Sequence, residues 1–260
     1  MRIVTNETLV KRNRRTATYL FFASLTILGV GFFVANGQIL GLMDPEEMDP
    51  LLYSLIMPAV LLLGFLATII SVRMTNLWIR MPRPEKAIQE GLKGLSGKSA
   101  LYNYYHFPAR HVLIAPQGVF AIITRYQDGR FTVKGDKWKQ HRTPIGRIFS
   151  IFRMDGIGNP TQEAIDAARY IRYITEDYDP NLEIQPLIVF VDPRAQIEIE
   201  DTTVPVLHTD PKKEPNLKNF LRDRKKAEDM RGPDNIEEFI QEFELATLEF
   251  DSNAAQQQQA

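Results

Sequence analysis

The chain has 260 residues, 44% of them hydrophobic, with 31 Lys plus Arg, 32 Asp plus Glu and no cysteine. Absence of cysteine excludes disulfides and thiolate-held metals, and a formal charge of −1 gives bulk electrostatics no pull toward nucleic acid. Beyond Val72 the balance is the same, 26 basic to 27 acidic, because five of each precede it.

Residues 1–15 form a basic segment containing Lys11, Arg12, Arg14 and Arg15. No charge occurs from Thr16 to Met43, nor again from Pro50 to Val72, and each run is long enough for a helix to cross about 30 Å of hydrocarbon. Pro58 in the second run is tolerated in a membrane helix. The intervening loop, 44–49, holds Asp44, Glu46, Glu47 and Asp49 without a base, whereas Arg73, Arg80, Arg83 and Lys86 follow the second run. This asymmetry predicts a multi-pass protein of a prokaryotic inner membrane with both termini cytoplasmic. Phe33-Val34-Ala35 lacks a small-x-small cleavage pattern, so the first run reads as an anchor rather than a signal peptide. Gly29 and Gly31, with Ala23 and Ser24, form a small-residue patch suited to packing the two spans together. Neither span has an ionisable residue, so transport and proton relay have no chemical foothold.

Residues 73–84 are a linker whose Pro82 and Pro84 end the membrane helix. A soluble domain is expected over 85–231. Glu85–Leu95 predicts a helix with an apolar stripe at Ile88, Leu92 and Leu95. Four strands are expected at Leu101–Phe107, Val112–Ala115, Gly118–Tyr126 and Phe131–Lys134, turned at Pro116-Gln117-Gly118 and Gln127-Asp128-Gly129. The glycine-studded stretch Thr143–Gly158, with Ile148, Phe149, Ile151 and Phe152, is either a flap or core filling. Asn159 and Pro160 start a helix to about Tyr178. Strands at Gln185–Val191, Ile197–Ile199 and Val204–Leu207 and a basic helix at Leu217–Lys226 complete the domain. Within 232–251, Ile236, Phe239, Ile240, Phe243, Ala246, Thr247 and Phe250 fall on one face of an acidic amphipathic helix. That helix either packs on its own domain or docks a protein partner through 236–250. The Gln-rich end, 252–260, is expected to lack structure.

The hairpin from Ala109 to Gly129 has the layout of a metal-dependent nuclease, in which an acid precedes the first apolar run and an acid and a lysine end the second strand two residues apart. Alternation places those last two on one face, where carboxylates hold Mg²⁺ and lysine orients water. Here the three positions are Arg110, Ile123 and Arg125. Together with the Glu85 helix, His111, Gly118-Val119-Phe120, Gly129 and Asn159-Pro160-Thr161-Gln162, the stretch from Pro84 to Thr209 resembles the nuclease-related domain (NERD) family. The resemblance implies an α/β fold, a restriction-endonuclease-like mixed sheet flanked by helices, preceded by a transmembrane hairpin. It also marks His111, Gln162 and Glu85 as family residues retained and Arg110, Ile123 and Arg125 as family residues lost, so no catalytic residue and no metal ligand is assigned.

A second constellation is basic: Arg125, Arg130, Lys134, Lys137, Lys139 and Arg142, continued by Arg147 and Arg153, with Trp138 and His141 interleaved. It is either an anion-binding strip for nucleic acid or lipid headgroups or an ordinary solvated strand face. Glu85, Glu90, Asp128 and Asp136 are the acids near the hairpin, but none replaces the strand-end pair. His106, His111, His141 and His208 show no metal spacing, and His111 suits a satisfied core slot. Three functions remain: a membrane-anchored binding or scaffolding module without catalysis or cofactor, a tethered Mg²⁺-dependent nuclease with relocated ligands, and a structural accessory subunit of a membrane complex.

Overall fold

A computed structural model of the chain describes residues 1–37, 41, 50–146, 155–179, 181–227 and 231–257. The described residues divide into two units, one drawn from Met1–Glu7, Met81–Pro144 and Gly156–Ala260 and the other from Thr8–Arg80 and Ile145–Asp155.

The second unit is a helical hairpin of α1 (Glu7–Asn36) and α2 (Pro50–Trp78). Buried positions recur every seven residues on each helix, at Val10, Ala17, Ser24 and Gly31 and at Met57, Gly64 and Ser71, the seam of a left-handed supercoil. Small side chains on that seam let the helices approach closely: a Cβ on Gly31 would lie 3.2 Å from Val60, and one on Gly64 would lie 2.9 Å from Leu28. Arg14 Nε donates to Trp78 O at 3.1 Å, so the pairing is antiparallel. The small-residue patch is therefore Ala17, Ser24 and Gly31, not Ala23 and Gly29; Ala23 is exposed and Gly29 has nothing near its missing Cβ. Both helices are long and apolar enough to cross a membrane, with 17% of each apolar window buried. A core helix of a water-soluble protein buries most of its apolar surface instead. The acidic loop residues Asp44, Glu46, Glu47 and Asp49 lie outside the described residues.

The first unit is built on a six-stranded mixed sheet in the order β1-β2-β3-β4-β7-β9. Its strands are β1 (Arg2–Thr5), β2 (Ala100–His106), β3 (Ala109–Ala115), β4 (Gly118–Arg125), β7 (Ile184–Phe190) and β9 (Val206–His208). The first, ahead of the apolar helices, is unforeseen: β1 runs parallel to β2, with Arg2 opposite Ala100 and Thr5 opposite Asn103. A smaller sheet, β6-β5-β8, contains β5 (Gly129–Lys134), β6 (Lys137–His141) and β8 (Ala195–Ile199). Charged residues at both ends of β6 hide its alternation; Trp138 and Gln140 are the half-covered positions.

Helices cover both faces of the large sheet. On one, α3 (Pro84–Gly91) and α5 (Leu217–Lys226) set Ile88, Leu217 and Leu221 against Leu113, Phe120, Ile122 and Leu187. On the other, α4 (Pro160–Thr175) sets Ala164, Ala167 and Ile171 against Val112, Ala121, Ile123 and Ile188. Asn159 caps α4 by accepting from Gln162 N, and Pro160 begins it. The stretch 147–154, which includes Ile148, Phe149, Ile151, Phe152, Arg147 and Arg153, lies outside the described residues.

The last helix, α6 (Ile236–Gln257), continues beyond residue 251, so the stretch expected to lack structure is helical through Gln257; 258–260 are outside the described residues. This helix packs on its own domain. The Phe243 ring sits 4.9 Å from that of Tyr102 and 4.7 Å from that of His106, while Tyr102 OH donates to Glu244 Oε1 at 2.8 Å. Thr247 Oγ1 donates to Phe243 O, so it accepts from His106 Nε2–H at 2.8 Å. Leu245 points outward, 62% exposed. Phe243→Ala is expected to cost ~3 kcal/mol in denaturant unfolding of the full chain, whereas Leu245→Ala changes little.

Burial pushes His106 from 6.5 down to about 4. A histidine kept neutral in the fold but protonated in the unfolded chain gives full stability above about pH 6.5, which is lost as pH falls toward about 4. Between about pH 7 and pH 5 that loss is ~2 kcal/mol. Melting His106→Gln beside the parent chain at both values should therefore show a shallower pH dependence in the variant; equal slopes would contradict the assignment.

Candidate functional site

The β3–β4 register pairs His111 with Ile122 and Val112 with Ala121; continued by one residue, it sets Arg110 across from Ile123. Residues 123 and 125 share a face by alternation, the one covered by α4. The fold thus gathers Arg110, Ile123 and Arg125 at one end of the hairpin, the arrangement expected from the sequence. Ile123 is 5% exposed and belongs to the apolar core. Arg125 ends β4 with a side chain 9% exposed, and its Nη2 lies 2.7 Å from Glu163 Oε1 in the first turn of α4. Its Nε is buried without a hydrogen-bond partner among the described residues.

Arg110 feels the same neighbours. Burial lowers its pKa, the Arg125 guanidinium lowers it further, and Tyr104, Glu163 and Tyr126 oppose them in part. Both guanidiniums stay charged in proteins, and the half-exposed Glu163 carboxylate serves both, pairing with Arg125 directly and acting on Arg110 through its charge alone. Glu163 was not expected from the sequence: its value depends on α4 being laid across the end of β4, which no local pattern announces.

Tyr104 was also missed. It occupies a left-handed conformation, φ 67°, within an irregularity of the β2–β3 pairing between Asn103 and His106. Its hydroxyl donates to Glu85 Oε2 at 2.9 Å, and its ring lies 5.0 Å from that of His111. His111 is wholly buried and hydrogen-bonded through Nδ1 to Asn103 Oδ1 at 2.8 Å. An amide oxygen only accepts, so Nδ1 carries the proton. His111 Nε2 is left without a hydrogen-bond partner among the described residues, which qualifies the expectation of a satisfied slot. Burial, then the charge of Arg110, pushes its pKa to about 3. Gln162 is exposed and donates along its own helix to Asp166 at 2.9 Å, so the retained family residues do not converge.

The basic strip does not hold together as one surface. Arg125 is in the large sheet, buried against α4, and leaves the group. Arg130 pairs with Glu198 on the neighbouring strand β8, and Lys134 pairs with Glu200 just beyond its end. Lys137 and Lys139 are exposed on β6, and Arg142 follows it. Trp138 is structural: Nε1 donates to Thr161 Oγ1 at 2.9 Å and the ring stacks on Phe190. His141 Nε2 is 2.8 Å from Thr132 Oγ1 across the strand pair.

The Mg²⁺ that the nuclease layout implies does not fit these residues. Hard cations take oxygen ligands, whereas the three positions offer two cations and an alkyl chain. Of the acids named from the sequence, Glu85 accepts from Tyr104, Asp128 pairs with Arg194 at 3.0 Å, and Asp136 accepts from Thr202 and Thr203. Among the described residues no group of three or more His, Asp or Glu is placed to hold an ion. Glu163→Gln leaves Arg110 and Arg125 without their shared carboxylate, an expected loss of ~1–2 kcal/mol after allowance for the 52% exposure of Glu163. Adding Arg125→Gln should restore most of it, as read by chemical denaturation of the full chain.

A family comparison agrees with this geometry: the model for the nuclease-related domain, NERD, matches residues 83–191. No curated protein and no solved structure matches the chain. The matched segment runs from the start of α3 through the hairpin and α4 to the end of β7, so this part of the chain is a nuclease-related domain, set after two long apolar helices.

Proposed function

We propose that the protein is a membrane-anchored, cytoplasmic nuclease-like domain that has lost catalysis and serves as a binding or scaffolding module. The observation that carries this reading is the side-chain set at the family's metal position, where Ile123 is part of the core and Arg110 and Arg125 share Glu163. A divalent ion brought there meets repulsion from two fixed charges without two oxygens to replace its water.

Anchoring is supported by the two helices with uncovered apolar surfaces and by β1. A strand that precedes α1 pairs with one that follows α2, so the chain leaves the domain, makes two apolar passes and returns. Two crossings with both ends on one side satisfy that closure, and the basic flanks support a cytoplasmic side for both ends. Pairing of Arg130 with Glu198 and of Lys134 with Glu200 weakens the case for nucleic acid or anionic headgroups on the small sheet and favours a protein ligand.

The test uses the full chain in detergent, because a fragment beginning near Pro84 lacks β1. DNA and RNA incubated with it and Mg²⁺ or Mn²⁺ should remain intact. Cleavage that is abolished by Glu163→Gln, which removes the partner of Arg125, or by Glu85→Gln, which removes the partner of Tyr104, would restore the tethered nuclease and refute this proposal.

A further inference from the structure

A cavity of about 210 Å³ lies between the end of α3 and one face of α5, away from the vacated metal position. Its wall carries Lys93, Lys218, Arg222 and Lys225, together with Ser96 and Gln117, and no acidic side chain. Lys218, Arg222 and Lys225 recur at helical spacing on one face of α5, above the buried Leu221. Cations in a last turn complement the helix dipole, which accounts for Lys225. Lys218 stands in the first turn, where the dipole opposes a positive charge, so that explanation does not extend to the set. Neither Lys93, Lys218 nor Lys225 has an ion-pair partner among the described residues.

Gln117 is the second, independent observation. It is 2% exposed, and its Oε1 is buried without a hydrogen-bond partner among the described residues. An amide oxygen left in that state is unfavourable, which a donor on a bound molecule would offset. The turn that holds it is rigid. Arg224 reaches Gln117 O while lying over the rings of Phe120 and Phe220, and Gly232 N donates to Pro116 O at 3.2 Å. A Cβ at Gly232 would come within 2.6 Å of Ala115 O, so that clamp requires glycine.

We infer that this cavity binds a polyol phosphate, its phosphate oxygens held by Lys93, Lys218, Arg222 and Lys225 and a hydroxyl donating to Gln117. The volume is below the range of about 300–1,000 Å³ typical of drug-sized ligands, and so suits a glycerophosphate moiety rather than a dinucleotide. That moiety has two sources, a soluble ester and the headgroup of a phospholipid, and a chain with two membrane-competent helices meets both.

Native mass spectrometry of the full chain in detergent separates them, with glycerol 3-phosphate as one probe and short-chain phosphatidic acid as the other. One equivalent should bind per chain, and Lys218→Ala with Arg222→Ala should weaken it on the order of tenfold or more. Lys226→Ala, on the same helix but outside the cavity, should leave binding unchanged. Binding of both probes indicates a site for the phosphate ester itself, and binding of phosphatidic acid alone indicates a lipid site. No binding of either probe, or an equal loss in Lys226→Ala, would overturn the assignment.

Discussion

The architecture depends on the parallel pairing of β1 with β2. Four residues at the start of the chain hydrogen-bond to a strand almost one hundred residues later, and everything between them is a closed excursion from the domain. That closure ties the two ends of the apolar hairpin to one sheet. It also puts a salt bridge from Arg2 to Glu244, at 2.9 Å, beside the Tyr102 contact of α6, so both ends of the chain brace the same edge of the sheet. The domain that carries the family resemblance is thus completed by segments outside the matched residues.

Against that frame of strands and helices, the altered metal position is a matter of local electrostatics. The nuclease layout brings an acid, a second acid and a lysine to one end of a hairpin, and here those positions hold a reversed charge at Arg110, an alkyl chain at Ile123 and a retained positive charge at Arg125. Burying two arginines is unfavourable unless hydrogen bonds or counter-charges compensate. Glu163 supplies one carboxylate, Tyr104 and Tyr126 favour the charge on Arg110, and Arg125 Nε finds no acceptor among the described residues. The result is a position with two cations and one half-exposed carboxylate beside it.

The distribution of basic residues shows the same principle from the other side. A run of lysines and arginines along β5 and β6 loses much of its field because β8 brings Glu198 and Glu200 alongside. On α5, Lys218 and Lys225 have no ion-pair partner among the described residues while Arg222 lies 3.7 Å from Asp223, and the opposite wall of the cavity adds Lys93 rather than an acid. Sequence clustering and spatial clustering of charge are different quantities, and the second one governs ligand attraction.

Much of the fold was legible because it rests on periodicity and composition. The uncharged runs, the alternating strands of the hairpin, the Asn159-Pro160 helix start and the apolar stripe of α6 each follow from interactions among residues close in sequence. The family resemblance was legible through residues in order along the same stretch. β1 was not, being too short to signal a strand without its partner, and neither was β6, whose lysines mask its inward Trp138. The seam of α1 and α2 was read as a patch but placed on partly wrong residues, since only the partner helix decides which face is covered. Arg125 was grouped with its neighbours in sequence, yet α4 takes it inside and pairs it with Glu163. The sequence by itself determined which side chains stand at the metal position, because alternation alone puts them on one face. Only the tertiary structure decided what neutralises them, because a charge finds its partner through space and the nearest carboxylate lies some forty residues away along the chain.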